Sequence, residues 1–306
     1  MVEFLLLDLD DTILDFHKAE RVALEKTLRS LGLEPTDTVM SRYSLINKEH
    51  WERLERKEIT REFLLVSRFS QLMEEFGIDV SAELCARTYE NNLAIGHYFM
   101  PGAREAVEAL SKKYKLYITS NGTSKIQAGR LESAAISHFF RDIFISQDIG
   151  INKPDKGYFD RCFARIPGFD PKKAMIVGDS LTSDILGGKQ AGIATCWVNP
   201  KGAQPRADII PDYEIPSLAQ LEALLETIDG ADHNQKNKNQ QESEPYYLPL
   251  FMSIGISVGM AFGAATHNIP IGMCMGLGIG LCLGAGLDAQ KRKENKSKEN
   301  TKNGDI

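Results

Sequence analysis

The chain has 306 residues, 42% of them hydrophobic and 25% charged, with a formal net charge of −6. That is ordinary globular usage with room for one large or two modest domains, which excludes a mostly disordered, collagenous or disulfide-scaffold protein. The negative balance gives no support to nucleic-acid binding, and five cysteines without a CxxC pair or a secretory pattern at Met1 read as reduced thiols of a cytosolic protein.

From the N-terminus, VEFLLLDL (2–9) is an apolar run ending in acids, which predicts a buried strand opening onto a polar loop. From Phe16 to Asn92 the pattern is helical, with apolar positions such as Val22, Leu24 and Leu28 and breaks at Gly32, Pro35 and Gly77. After Pro101 strands and helices alternate. KLYITS (115–120), DIFIS (142–146), AMIVGD (174–179) and ATCWVN (194–199) predict strands, and helices are expected near 103–113, 124–135, 155–165 and 182–191. This spacing implies βαβ units and an α/β, Rossmann-like parallel sheet. The helical stretch after the first strand is too long for a crossover and reads as an inserted domain.

Binding sites of open parallel sheets lie beyond the carboxyl ends of the strands. Asp8 and Asp10 follow the first strand, Ser120 and Asn121 the second, and Asp179 the AMIVGD strand. Asp184 comes five residues later, and Lys153 sits in the loop after DIFIS. Clustered carboxylates repel one another unless a cation is present, and an oxygen-rich site suits Mg²⁺. Lys153 and the backbone N–H groups at Asn121-Gly122 would hold phosphoryl oxygens, and a carboxylate would act as nucleophile. Taken singly, DLD reads as a turn, GDS as a helix cap and Lys153 as a solvated loop charge. Their joint order and common rim favour a site.

DLDDT (8–12), TSNG (119–122), KP (153–154) and GDSLTSD (178–184) resemble, in order, the four motifs of the haloacid dehalogenase-like (HAD) hydrolases. The resemblance implies that Asp8 forms an aspartyl-phosphate and that Asp10 is the acid/base. It assigns phosphate binding to Ser120 and the Asn121 backbone, and the steadying of nucleophile and phosphate charge to Lys153. It further implies Mg²⁺ held by Asp8, the Asp10 carbonyl oxygen, Asp179 and Asp184. The dehalogenases proper lack an acid two residues after the nucleophile, so Asp10 favours phosphate esters over carbon–halogen bonds. Residues 15–100 match the helical cap of one subfamily, which leaves 1–14 and 101–228 as the α/β core. Such a cap excludes water and selects the leaving group.

Within that subfamily, residues 178–200 most resemble bacterial pyrimidine 5'-nucleotidases that clear noncanonical nucleotides, which implies a nucleoside 5'-monophosphate as substrate. The N-acylneuraminate 9-phosphatases share much of the same stretch, so a sugar phosphate stays open. In the insert, Tyr43, Trp51 and Phe69 can stack on a base, and Asn47, His50, Arg61 or Arg68 can hydrogen-bond to it. The bland alternative is that the aromatics pack the insert's own core and the arginines are solvated. Cys85 and Cys162 fall in expected helices and read as buried thiols.

The remaining residues differ in kind. Residues 229–245 are nearly devoid of apolar side chains and predict a flexible linker. Residues 246–288 carry one formal charge, Asp288, and predict a transmembrane hairpin of two runs, Leu248–Thr266 and Ile269–Leu287, each about nineteen residues long. Gly255, Gly259 and Gly263, then Gly272, Gly276, Gly280 and Gly284, recur every fourth residue, a GxxxG face open to self-association. In a water-exposed helix these glycines would cost about 1 kcal/mol each. Residues 289–306 form a basic tail with Lys291, Arg292, Lys293, Lys296 and Lys298, while Lys236 and Lys238 precede the first run. Positive-inside logic then places both ends and the catalytic domain in the cytoplasm. Two other readings stay open: a soluble glycine-rich segment, or a hairpin that is the functional part with the HAD domain as its regulatory module.

Overall fold

The computed structural model describes residues 1–230 and 247–302. The expected linker, including Lys236 and Lys238, lies outside the described residues apart from positions 229 and 230. The chain divides into two compact units, Met1–Asp229 and Gly230–Ile306.

A six-stranded, all-parallel sheet organises the first unit. Its strands are β1 (Phe4–Leu7), β2 (Lys115–Ser120), β3 (Asp142–Ile145), β4 (Ala174–Gly178), β5 (Ala194–Val198) and β6 (Tyr213–Ile215), in the spatial order β3-β2-β1-β4-β5-β6. β1 is central and buried on both faces. Leu5 and Leu7 pack into a cluster with Val107 and Leu221, while Phe4 and Leu6 pack into another with Tyr158 and Phe159. Double burial explains why its sequence is a continuous apolar run rather than an alternation. The edge strand β6 was not among the expected strands, because three residues are too few for a period-two signal.

Four helices, α1 (Phe16–Ser30), α2 (Asp37–Glu55), α3 (Arg61–Phe76) and α4 (Ala82–Leu93), make the insertion after β1. Each begins at a side-chain cap, Asp15, Thr36, Thr60 and Ser81 respectively, which satisfies one of the open N–H groups of the first turn. Tyr43, Phe69, Leu72 and Tyr89 lie in the insertion's own core. The entering and returning segments run side by side, with the Asp15 N–H donating to the Tyr98 carbonyl at 2.8 Å and the Met100 N–H to the Ile13 carbonyl at 3.0 Å.

The sheet is flanked by α5 (Ala103–Ser111), α6 (Ser124–Ser133), the single turn α7 (Ser146–Ile149), α8 (Lys156–Arg165), α9 (Leu186–Ala191) and α10, described over 221–230. The helix expected at 182–191 is a π turn over Leu181–Ile185 followed by α9. The Ser180 carbonyl accepts from both Asp184 and Ile185 N–H groups, and the Ser180 side chain accepts from the Ser183 N–H, which widens that turn. It brings Asp184 against Gly178, where a methyl group would overlap the Asp184 carboxylate.

The second unit is a helical hairpin of α11 (Tyr247–Ala265) and α12 (Ile269–Lys302). Mean hydropathies of 1.7 and 1.8 make both helices long and apolar enough to cross a membrane. The glycine faces meet within this one chain. A methyl group on Gly255 would overlap the Gly276 carbonyl, and one on Gly259 the Gly272 carbonyl. The expected self-association face is thus occupied by the other arm of the hairpin. Asp288 accepts hydrogen bonds from the Tyr247 and Leu248 N–H groups at 2.8 and 3.0 Å, so the lone acid of the region caps α11 and faces the positive end of its dipole. Residues 289–302 of the basic tail continue α12 as far as Lys302, and are built largely from good helix formers such as Lys, Glu and Gln.

Candidate active site

Strand ends deliver the polar groups, and one buried lysine joins them. The Lys153 ammonium donates to Asp8 Oδ1 at 2.6 Å, to Asp184 Oδ1 at 2.6 Å and to the Thr119 carbonyl at 2.8 Å. Asn121 secures that lysine's backbone: its Nδ2 donates to the Lys153 carbonyl at 2.9 Å and its Oδ1 accepts from the Lys153 N–H at 2.8 Å. Asp179 is oriented from β5, where Trp197 Nε1 donates to the Asp179 carbonyl at 2.8 Å. Ser120 Oγ accepts from the Gly122 N–H at 3.1 Å, curling the loop after β2 over the strand end.

Asp8, Asp179 and Asp184 each present a carboxylate oxygen, all within 4.8 Å of one another. Burial pushes the Asp8 carboxyl up to about 8, with Lys153 opposing and Asp184 and Asp10 reinforcing the shift. Asp179 is likewise raised well above the carboxylate range by burial and by repulsion from Asp8 and Asp184. Burial disfavours the Lys153 ammonium, but Asp184 and Asp8 outweigh it and the lysine is held protonated. Three carboxyl groups thus crowd one ammonium that bonds only two of them, and ionising all three leaves an excess of negative charge that an oxygen-seeking divalent cation would neutralise. The residues present fit Mg²⁺.

Asp10 stands apart from that trio. Its carboxylate accepts from Gln127 Nε2 at 2.6 Å and pairs with the fully buried Arg130 guanidinium. Asp8, Asp10, Asp179, Asp184, Ser120, Asn121 and Lys153 all line one cavity of about 390 Å³, together with Phe16, Lys48, Trp51, Leu65 and Arg68 from the insertion.

The insertion residues considered from sequence divide into three groups. Tyr43 and Phe69 stack on each other, ring centroids 5.0 Å apart, inside the insertion's core, and Asn47 and His50 are buried there as well. Trp51 and Arg68 line the cavity. Arg68 is 2% exposed, donates to Asn47 Oδ1 at 2.7 Å, and has an Nε without a partner. Arg61 bridges to the core, donating to the Asn121 and Gly122 carbonyls at 2.9 and 2.6 Å and to Ser146 Oγ and Asn152 Oδ1 at 2.7 Å each. Sequence reasoning missed Gln127 and Arg130. The available signal was an amide and a guanidinium three residues apart on one face of the helix that follows the TSNG loop.

Residues 5–198 match the family described as haloacid dehalogenase-like hydrolase, and residues 244–290 match the glycine zipper membrane protein family. The chain is 40% identical over 221 residues to the HAD-hydrolase YfnB of Bacillus subtilis, covering 72% of this chain and 94% of YfnB. A crystal structure of YfnB bound to magnesium superposes with a TM-score of 0.70 over 73% of this chain and 98% of that one. The pyrimidine 5'-nucleotidase PynA of Streptococcus pneumoniae is 37% identical over 220 residues, 72% of this chain and 93% of PynA. The pyrimidine 5'-nucleotidase YjjG of Escherichia coli is 29% identical over 73% of this chain and 97% of its own length. The chain belongs to the haloacid dehalogenase-like hydrolase family.

Proposed function

We propose that this phosphoric monoester hydrolase acts on nucleoside 5'-monophosphates, pyrimidine ones foremost, through an aspartyl-phosphate on Asp8. The observation that carries the reading is the pairing of two differently held acids at one strand end. Asp8 is bonded to Lys153, Asp10 is bonded elsewhere, and both open into one cavity. An Asp8 oxygen attacks phosphorus while the bond to the 5'-oxygen breaks, and Asp10 gives that oxygen its proton. Asp10 then takes a proton from water, which attacks the same phosphorus and releases phosphate with Asp8 restored. Lys153 remains protonated throughout and offsets charge on the nucleophile. Ser120 and the Asn121-Gly122 loop face the transferred group. Asp8, Asp179, Asp184 and the Asp10 carbonyl would hold Mg²⁺, which neutralises phosphate charge when bound.

Chelation is expected to abolish phosphate release and Mg²⁺ to restore it. At one hundred times its dissociation constant, Mg²⁺ should add about 2.7 kcal/mol to stability. Asp179→Asn should cancel most of that gain in a melting experiment. A protonation change accompanies it. The metal-free Asp8 carboxyl sits near 8, above its unfolded value, so its contribution to stability is full below about pH 4 and is lost as pH rises towards 8. Mg²⁺ binding at pH 7 should therefore release protons, and calorimetry showing no dependence of binding heat on buffer ionisation would contradict this.

The pyrimidine preference is supported by the likeness to PynA and by Trp51 and Arg68 lining the cavity. Arg68 lines the cavity with a guanidinium whose hydrogen-bond partner among side chains is Asn47, and it is the candidate donor to a base carbonyl. Arg68→Met is expected to raise KM about tenfold, the worth of one hydrogen bond from a charged donor, with little change in kcat. A phosphate-release panel over nucleoside monophosphates and sugar phosphates tests the substrate reading. Fastest turnover of uridine or thymidine monophosphate supports it, whereas fastest turnover of N-acylneuraminate 9-phosphate replaces it with the sugar-phosphatase alternative. The glycine-zipper match and the two apolar helices support attachment to the cytoplasmic face of a membrane.

A further inference from the structure

Both oxygens of Asp10 are engaged, and by groups that touch no other carboxylate among the described residues. Gln127 Nε2 donates to Oδ2 at 2.6 Å and also to Ser120 Oγ at 2.8 Å. Arg130 Nη1 donates to Oδ1 and to Gln127 Oε1, the latter at 3.0 Å, which fixes the orientation of the amide. Arg130 is fully buried, and Asp10 is its ion-pair partner among the described residues. Burying a guanidinium is unfavourable, and an apolar side chain would fill a helix–sheet contact at lower cost, so the pair has another purpose than packing.

We propose that Gln127 and Arg130 are positioning residues that hold the Asp10 carboxylate at the angle proton transfer requires and tie that angle to the insertion's return segment. Arg130 Nε makes the tie to the return segment, donating to the Gly96 carbonyl at 3.0 Å, three residues beyond α4. Glycines permit the close fit. A methyl group on Gly122 would overlap the Gln127 amide, and one on Gly129 would lie 2.8 Å from the Ala94 carbonyl. One face of α6 therefore supports Asp10 and Ser120 from beneath while pressing on the segment through which the insertion is attached. Displacement of Ala94–Gly96 relative to the sheet would reach the Asp10 carboxylate through a single side chain.

The proposal rests on Asp10 being the acid/base, and leaving-group dependence tests both without confusing them. A ribose 5'-alkoxide needs a proton to depart and p-nitrophenolate does not. Arg130→Met and Gln127→Leu, made in the full chain, are compared with wild type on uridine 5'-monophosphate, or the fastest alkyl phosphate of the panel, and on p-nitrophenyl phosphate. On the alkyl ester each variant is expected to lose about 10- to 100-fold in kcat, part of the full worth of general acid–base catalysis, with KM within about twofold. On the aryl ester the first turnover should release p-nitrophenol within about threefold of the wild-type rate, followed by slow phosphate release, a burst absent from wild type. Arg130→Lys, which keeps the charge, should recover part of the alkyl-ester rate and serves if Arg130→Met does not fold. Equal losses on both esters, without a burst, would overturn the proposal and leave the two residues a structural role. If wild type releases phosphate from neither ester, the acid/base reading falls and the proposal with it.

Discussion

Asp8→Asn is expected to lower phosphate release by about 10,000-fold or more while the protein stays folded. The amide is close to isosteric but is a poor nucleophile, and no neighbouring acid can replace it from the same strand end. Asp10 is turned to Gln127 and Arg130, and Asp184 is spent on Lys153 and on the Ser180 N–H at 3.1 Å. Stability should not fall in parallel. The amide replaces a carboxyl whose ionised form burial and two neighbouring acids already disfavour, and Lys153 keeps Asp184 and the Thr119 carbonyl as partners. A metal-free melting temperature equal to or above wild type, with activity gone, is the expected signature. Full activity in Asp8→Asn would remove the carboxylate nucleophile from the mechanism.

Membrane association is expected to depend wholly on the second unit. Ile254, Val258, Phe262, Ile271, Ile279 and Leu283 are exposed on the outer faces of the hairpin, a contiguous apolar surface that water does not tolerate on a monomer. The inner faces are already closed by glycine packing and by the Asp288 cap. In a bilayer the same surface meets lipid, and 19 residues of α11 span about 28 Å at the helical rise, close to the thickness of the hydrocarbon core. The full chain should sediment with membranes, resist high salt and be released by detergent. A chain ending at Asp229 should remain in the supernatant with kcat/KM on soluble substrates within about twofold of the full-length value, since it retains the complete cavity. A full-length protein that stays in the supernatant after detergent-free lysis would exclude the anchor. A truncated enzyme that loses its activity would favour the hairpin as an integral part of the catalytic unit.

The central strands were legible because burial on both faces writes a continuous apolar run, as FLLL and AMIVG show, and the polar residues that follow mark the rim. β6 was not legible, since Tyr213–Ile215 is a three-residue edge whose pairing depends on β5 rather than on its own pattern. The π turn at Leu181–Ile185 was missed for a related reason: it is made by the hydrogen bonds of Ser180, and its composition is that of any helix start. Asp8, Asp179, Asp184 and Lys153 could be grouped from strand order alone, because a parallel sheet collects its strand ends on one rim. Gln127 and Arg130 were not grouped with them, because polar residues on a helix are solvated by default, so their shared face is a weak signal until the tertiary fold turns it inward. Glycine spacing identified a packing face in the hairpin but not its partner, which turned out to lie in the same chain.

The most direct measurement is the site of phosphorylation in a single turnover quenched with acid, made on Asp10→Asn, in which hydrolysis of the intermediate is slowed. With p-nitrophenyl phosphate and Mg²⁺, peptide mapping should find one phosphoryl group, on the peptide carrying Asp8, and none when Asp8→Asn is added. A phosphoryl group on a different side chain, or steady turnover through a path that leaves Asp8 unmodified, would contradict a nucleophilic Asp8.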